Sequence, residues 1–421
     1  MLTKIQLNRR QQKFIFLSGI TAIYVILVIW RDFLQGAYLW DESHYWESSL
    51  VFSERLFPGI DELRNYNELN TPLPFIVFGI LQHLFDGGIF LGRLLNLILS
   101  CAIAFIIGYP NRNKSRAILC VIGLFLCPYY LFYSGLLYTD IFACFWVLIG
   151  VMCYIRDRHW LSCIAFILAI ASRQYMLAFP GAIAFYEFMV VLTRSKVTHR
   201  DFLTKKVYHV RKLMQQPSMS LVEHKKWLAP LIACLTIFCW IYLFQGLIPE
   251  QALAVRDTPE VQKTVWAITP GGALNFLTFV GLYLVIPELI LFKTWTRYKI
   301  LKQQRFKVIA IAGGLLLCFL VFPPLSDSMG IVKKLTDLLP HDILRLAFFY
   351  CLSLITCLRF SQPELISFMV LFNSLIMIKA YPWDKYILPL AIVFWYLKSI
   401  KFGEVVDEKL KIRATKLKLK L

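Results

Sequence analysis

The chain has 421 residues, of which 58% are hydrophobic and 17% charged, and its mean hydropathy is +0.61. These values exclude an ordinary soluble globular protein and indicate a polytopic membrane protein. The formal charge of +19 arises mostly from loops that topology places on one side of a membrane, so we expect no nucleic-acid partner.

Apolar stretches close to the length that crosses a bilayer recur along most of the sequence. They predict an all-α polytopic membrane protein with about 12 transmembrane helices and no separate soluble domain. The candidate spans are 14–30, 89–108, 117–134, 137–155, 160–178, 180–193, 227–247, 272–292, 308–324, 341–358, 364–380 and 386–400.

One further apolar stretch, residues 71–85, is short, contains Pro72 and Pro74 near its start and carries Gln82 and His83. We interpret it as an interfacial or re-entrant helix in a long first outer loop. If it crossed the bilayer, the strongly basic loops would lie opposite the basic N-terminus, against the positive-inside rule. The non-crossing interpretation places both termini in the cytoplasm. The basic loops on which it depends are 112–116, 194–226 and 293–307.

Several ionisable residues stand at the outer end of the first span, in the run WDESHYWE. The longer run DESHYWESSLVFSERLF, which begins at Asp41, predicts an amphipathic helix along the membrane surface, with Asp41, His44, Tyr45 and Ser48 on one side. Asp41 and Glu42 are about 100° apart on such a helix, so one faces any pocket and the other faces water. Two interpretations stay open for Asp41, as a helix cap or as a working carboxylate.

Three more charged residues map to the same face of the membrane. Asp140 stands at the mouth of a span, where an ionisable group is expensive and indicates function unless it caps the helix. Arg173, between two spans, either pairs with Asp140 or receives a phosphate. Lys385 precedes the last span and either extends to the interface or binds an anion.

The sequence contains no Gly-rich phosphate loop, CxxC pair, HExxH or GxSxG motif. A transporter or flippase of lipid-linked sugars is the main alternative, but it usually shows two related halves and charges at mid-membrane. Polymerases and ligases that take whole glycans from pyrophosphate carriers are a second alternative. A structural membrane subunit is a third, and it gives no reason for the charges on the outer face.

Five segments, in this order, resemble the GT-C superfamily of membrane glycosyltransferases. Within that superfamily, the first four segments are most similar to the dolichyl-phosphate-glucose α-1,2-glucosyltransferase family. This closer similarity covers roughly the first 180 residues. Tyr175 and Met176 stand where that family usually has Thr-Asn, and the family's Trp-Asp before the proline segment is missing. The segments are YLWDESHYWES, YNELNTPLPFIVFGIL, SGLLYTDIFACFWVLIG, AIASRQYMLAFP and YPWDKYILPL.

The resemblance implies a catalytic module in residues 1–180 and a variable module for carrier and acceptor in residues 181–421 of one integral-membrane domain. It implies a hexosyltransferase that moves sugar from a polyprenyl-phosphate carrier to a hydroxyl of a glycan or lipid-linked acceptor. The reaction is expected on the outer or lumenal face, in the plasma membrane or the endoplasmic reticulum, with inversion at the anomeric carbon.

Each candidate residue then has an expected role. Asp41 is the expected base and Glu42 the alternative base. Asp140 and His44 are the candidate acceptor-binding residues, with Asp140 as a second carboxylate. Arg173 and Lys385 are the candidate ligands of the carrier phosphate. No metal ligand is assigned, although a divalent cation stays an option.

Overall fold

The structure is a computed structural model, and it describes residues 9–31, 34–109, 114–204, 221–256, 258, 260–264, 266–292, 304–324 and 329–402. Over these residues the secondary structure is helical, with one isolated β-bridge between Met329 and Trp383. The all-α prediction is confirmed.

The first part of the chain contains two long helices separated by a loop with short helices, and then a compact set of apolar helices. The bounds are α1 (Arg9–Arg31), α2 (Glu42–Val51), α3 (Ile60–Arg64), α4 (Leu73–Phe85), α5 (Ile89–Gly108), α6 (Lys114–Phe125), α7 (Pro128–Tyr133), α8 (Thr139–Ile155) and α9 (His159–Ser172).

The middle part begins with a 3-10 turn over Gln174–Leu177 that leads into the next long helix. A π-helical stretch, Gly281–Val285, interrupts the last long helix of this part. The α-helical bounds are α10 (Ala178–Thr204), α11 (Leu221–Leu235), α12 (Ile237–Phe244), α13 (Glu250–Val255), α14 (Glu260–Lys263), α15 (Gly271–Val280) and α16 (Ile286–Phe292).

The last part ends in a buried helix that follows two short 3-10 turns, Met377–Lys379 and Asp384–Ile387. Nearly every residue of that helix is buried, so it forms the centre of the bundle. The α-helical bounds are α17 (Arg305–Val321), α18 (Ile331–Asp337), α19 (Asp342–Arg359), α20 (Leu365–Ile376) and α21 (Leu388–Ser399).

Four helical stretches in the described residues are long and apolar enough to cross a membrane: Ile89–Gly108, Gln174–Leu192, His224–Phe244 and Gly271–Phe292. Other predicted spans coincide with shorter or broken helices. For example, the predicted span 117–134 is divided by Pro128, because proline lacks the N–H that a continuous helix needs. The count of 12 spans therefore stays a prediction.

The predicted interfacial segment forms α4, which buries Phe75 and Phe78. Gly79 allows α4 to approach α2 closely, since a Cβ at this position would lie 2.7 Å from the carbonyl oxygen of Ser49. That α4 does not cross the membrane stays a prediction. The three basic loops lie partly outside the described residues, and the orientation that rests on them stays a prediction too.

A buried ion pair fixes the loop between α1 and α5 to the helices. The Arg93 guanidinium on α5 donates to Glu42 Oε1 and Oε2 at 2.9 and 2.8 Å, and to the carbonyl oxygens of Gly36 and Ala37. Glu42 also accepts from the backbone N–H groups of Leu39 and Leu137. Both side chains are almost fully buried, so each neutralises a charge that would otherwise be costly.

We predict that Arg93→Met destabilises the protein by about 3–5 kcal/mol, because it leaves Glu42 as an unpaired buried charge. The melting temperature of the purified protein in detergent measures the effect. The matched control is Lys333→Met, which removes an exposed pair with Asp337 that is worth at most about 1 kcal/mol. Equal melting temperatures for the two variants would contradict the prediction.

Candidate active site

A cavity of about 820 Å³ lies between the loop that joins α1 to α5, the turn before α10, the described residues between α12 and α15, and the turns before α21. Its charged lining consists of two carboxylates and four cations, and α12 contributes part of its apolar lining. The charged residues are Asp41, Glu68, Arg173, Arg256, Lys379 and Lys385. Three of these six were predicted from the sequence: Asp41, Arg173 and Lys385.

Asp41 occupies the N-cap position of α2, but its side chain makes no capping hydrogen bond. The carboxylate is about one-third exposed and lies 3.5 Å, at Oδ1, from Arg256 Nη2. The backbone N–H of Asp41 donates to the Tyr138 hydroxyl at 3.3 Å, which joins this residue to the Tyr-Thr-Asp turn. Of the two interpretations left open, the structure favours a carboxylate that faces the cavity over a cap.

Two expectations for the neighbours of Asp41 are wrong. Glu42 does not face water; it is fully buried against Arg93 and does not line the cavity. His44 does not share the buried side of α2, where Tyr45 and Ser48 lie. It is exposed and absent from the cavity lining. The helical spacing was correct, but α2 is rotated so that its buried stripe includes Glu42 and excludes His44.

Arg173 and Asp140 form a buried ion pair. Arg173 lines the cavity, whereas Asp140 lies behind it and is not part of the lining. The Tyr175 hydroxyl is 3.3 Å from Asp140 Oδ1 and the Arg173 guanidinium carbon is 5.5 Å from the Tyr175 ring centroid. Arg173 Nε and Asp140 Oδ2 have no hydrogen-bond partner within the part of the chain that the structure describes. The pair therefore retains unused polar atoms, and only its Arg173 member lines the cavity.

Lys385 is almost fully buried, and no carboxylate pairs with it in the described part of the chain. Its Nζ lies 3.4 Å from the ring centroid of Trp383 and 5.6 Å from that of Tyr138. Burial lowers the pKa of Lys385 to about 8, and the nearby Asp140 carboxylate opposes that shift. Aromatic rings stabilise an ammonium group only partly, so this cation faces the cavity without its own counter-ion.

The sequence interpretation missed Glu68, Arg256 and Lys379. Glu68 Oε1 lies 3.2 Å from Arg256 Nη2, the same nitrogen that approaches Asp41, and Glu68 is 1% exposed. Burial raises the pKa of Glu68 to about 7, with Arg256 opposing the shift. Glu68 lies inside the quoted YNELNTPLP segment, where an acidic residue just before the proline stretch was a usable signal. Arg256 had no such signal, because only tertiary folding brings it to Asp41.

Lys379 lines the cavity as well, and its Nζ donates to the carbonyl oxygens of Thr264 at 2.6 Å and of Ala267. It therefore ties the turn before α15 to the turn after α20. Among the described residues no group of three or more His, Cys, Asp or Glu side chains is arranged to hold a metal ion. The positive charges that line the cavity belong to lysine and arginine side chains.

Comparison with known proteins gives one match. Residues 78–254 match the model of the DIE2/ALG10 family, a segment that contains Asp140 and Arg173 and ends just before Arg256. No curated protein and no solved structure matches the chain. The family implies a membrane glycosyltransferase that uses a lipid-linked sugar. The resemblance drawn from the motifs is therefore confirmed: over residues 78–254 this chain matches the DIE2/ALG10 family, a GT-C glycosyltransferase family of dolichyl-phosphate-glucose α-1,2-glucosyltransferases.

Proposed function

We propose that this protein transfers a hexose from a polyprenyl-phosphate carrier to a hydroxyl of a glycan or lipid-linked acceptor, on the outer or lumenal face of its membrane. The observation that carries the proposal is the buried ammonium of Lys385, which has no carboxylate partner among the described residues and lines the same cavity as the Asp41 carboxylate. A phosphate at Lys385 and an acceptor hydroxyl at Asp41 place the two ends of the reaction in one cavity.

Asp41 is the proposed base. It takes the proton of the acceptor hydroxyl as that oxygen attacks the anomeric carbon, and positioned bases of this kind contribute about 10²–10⁴-fold to rate. Glu42 is less suited, since both of its oxygens are already bonded to Arg93 and to backbone N–H groups. The Asp41 carboxylate lies 3.5 Å from Arg256 Nη2 and is about one-third exposed, so an acceptor hydroxyl can reach it.

The bond from the anomeric carbon to the carrier phosphate breaks in the same step, and its electron pair goes to the phosphate oxygen. Lys385 and Arg256 stabilise that charge, and Arg173 supports them from its pair with Asp140. Phosphate leaves without protonation, so no acid is required. A single displacement with one base inverts the anomeric carbon, whereas retention needs a carboxylate nucleophile.

Glu68 is the carboxylate nearest to the proposed base, since both approach Arg256 Nη2. With its pKa raised to about 7 by burial, Glu68 is partly protonated at neutral pH. This lowers the repulsion between the two carboxylates. We assign Glu68 to this electrostatic role and not to attack on the sugar.

The apolar wall of the cavity suits the carrier's hydrocarbon chain. Ile237, Trp240 and Ile241 of α12 contribute to it, together with Leu177 and Ile376. The stretch His224–Phe244, which contains the three α12 residues, is one of the membrane-capable stretches. A carrier tail on this wall can pass into the bilayer while its phosphate reaches Lys385.

We predict that Asp41→Asn lowers kcat about 10²–10⁴-fold while the purified protein still binds the sugar donor. Transfer of labelled hexose from polyprenyl-phosphate donors to the acceptor measures kcat, and a filter assay measures donor binding. Glu47→Gln, an exposed carboxylate on the same helix, is the matched control with unchanged kcat. Full activity of Asp41→Asn would remove Asp41 from the mechanism.

The charge on Lys385 predicts a pH dependence. The ammonium is present below pH about 8 and is lost above it, because burial lowers the pKa of Lys385 to about 8. Since kcat/KM reports ionisations of the free enzyme, it should fall as pH rises through about 8. Arginine stays charged in this range, so the Lys385→Arg variant should lack this alkaline fall.

Removal of the charge gives the complementary prediction. Lys385→Met should raise KM for the donor about 10- to 100-fold, the value of a lost charge-assisted hydrogen bond. Lys263→Met, an exposed lysine outside the cavity, should leave KM unchanged. An unchanged KM in Lys385→Met, with an alkaline fall that persists in Lys385→Arg, would show that the phosphate binds elsewhere.

A further inference from the structure

The residue before Lys385 is a buried carboxylate that the proposed reaction does not use. Asp384 is 0% exposed, and among the described residues no lysine or arginine pairs with it. Four neutral groups donate to it instead: the hydroxyls of Tyr129 and Tyr283 and the backbone N–H groups of Ile331 and Val332. A buried carboxylate is tolerated when its oxygens are fully hydrogen-bonded.

These hydrogen bonds join parts of the chain that are far apart in sequence. Tyr129 is on α7, Tyr283 is on the π-helical stretch before α16, and the two N–H groups are at the start of α18. The bond from Tyr283 measures 2.7 Å, and those from Ile331 and Val332 measure 2.9 and 3.0 Å. A π-helical stretch changes the direction of its side chains relative to an α-helix, and here it contains the tyrosine that reaches Asp384.

The backbone next to Asp384 is held as well. The N–H of Met329 donates to the carbonyl oxygen of Pro382 at 3.0 Å, and Met329 pairs with Trp383 in the β-bridge. Met329 and Trp383 both line the cavity. The contacts around Asp384 therefore hold two residues of the cavity lining, Met329 and Trp383, in place.

The fit at Gly330 leaves no room for a side chain. Its φ is +105°, a left-handed value that favours glycine. A Cβ at this position would lie 1.7 Å from Asp384 Oδ1 and 2.5 Å from the Tyr129 hydroxyl. The carboxylate thus occupies the space directly beside the Gly330 backbone.

We propose that Asp384 is a positioning residue that fixes Lys385 at the carrier phosphate by fastening the 382–385 turn to α7, α18 and the π-helical stretch. This inference rests on the proposed phosphate role of Lys385. Asp384 and Lys385 are the first two residues of one 3-10 turn, Asp384–Ile387. Anchoring the first side chain restricts the backbone from which the second reaches the cavity, and Trp383, on the other side of Asp384, packs on the Lys385 ammonium.

A double-mutant cycle in the full-length protein tests this inference. Asp384→Asn keeps the size of the side chain but removes its charge, and should raise KM for the donor about 10-fold through a displaced Lys385. In a Lys385→Met background the same change should raise KM no further, since the group it positions is gone. If the double variant instead raises KM by the product of the two separate increases, the proposal is overturned.

Glu288→Gln is the matched control. Glu288 is another fully buried carboxylate, bonded to Arg359 and Lys398, and none of the three lines the cavity. Both variants should lower the melting temperature, but Asp384→Asn alone should raise KM for the donor. An equal rise in KM for Glu288→Gln would show that the effect is general destabilisation and would overturn the positioning role.

Tyr283→Phe is a milder variant for the case in which Asp384→Asn does not fold. It removes one of the four hydrogen bonds and should raise KM for the donor by about 3-fold, again without effect in the Lys385→Met background. If Lys385→Met itself leaves KM unchanged, the phosphate role of Lys385 fails. If Lys385→Met raises KM while Asp384→Asn and Tyr283→Phe do not, the positioning role fails alone.

Discussion

The structure depends on the pairing of charges that are buried away from bulk water. An unpaired buried charge is costly, and Glu42 with Arg93, Asp140 with Arg173, and Asp384 with its four neutral hydrogen-bond donors each satisfy this requirement. Lys385 is different, because its ammonium has aromatic neighbours but no carboxylate partner in the described part of the chain. The paired charges fix the helices and turns, and the unpaired one marks the place for an anion.

Much of the fold could be predicted from sequence, because apolar stretches of sufficient length form helices in a membrane. The predicted span 89–108 coincides with α5, and 341–358 is one residue from α19. Asp41, Arg173 and Lys385 were found because charged residues at the ends of apolar stretches are costly. The directions in which Glu42 and His44 point were predicted wrongly, because helical spacing does not give the rotation of a short helix. Arg256 could not be found, since its contact with Asp41 joins residues 215 positions apart.

The cavity draws on both proposed modules. Asp41, Glu68 and Arg173 come from residues 1–180, while Arg256 and Lys385 come from residues 181–421. If this arrangement serves the proposed reaction, the first part supplies the base and the second supplies most of the phosphate-binding cations and the apolar wall. The family match covers residues 78–254, so it includes neither Asp41 nor Lys385, and their roles rest on the geometry of the cavity.

The most direct test is a cryo-electron microscopy structure of the protein bound to a non-transferable phosphonate analogue of a polyprenyl-phosphate hexose. The account predicts that the phosphonate lies within about 3 Å of Lys385 Nζ, with the tail along α12 and the Asp41 carboxylate facing the anomeric carbon on the side opposite the phosphonate. A phosphonate bound outside this cavity, or a sugar whose anomeric carbon faces away from Asp41, would contradict it.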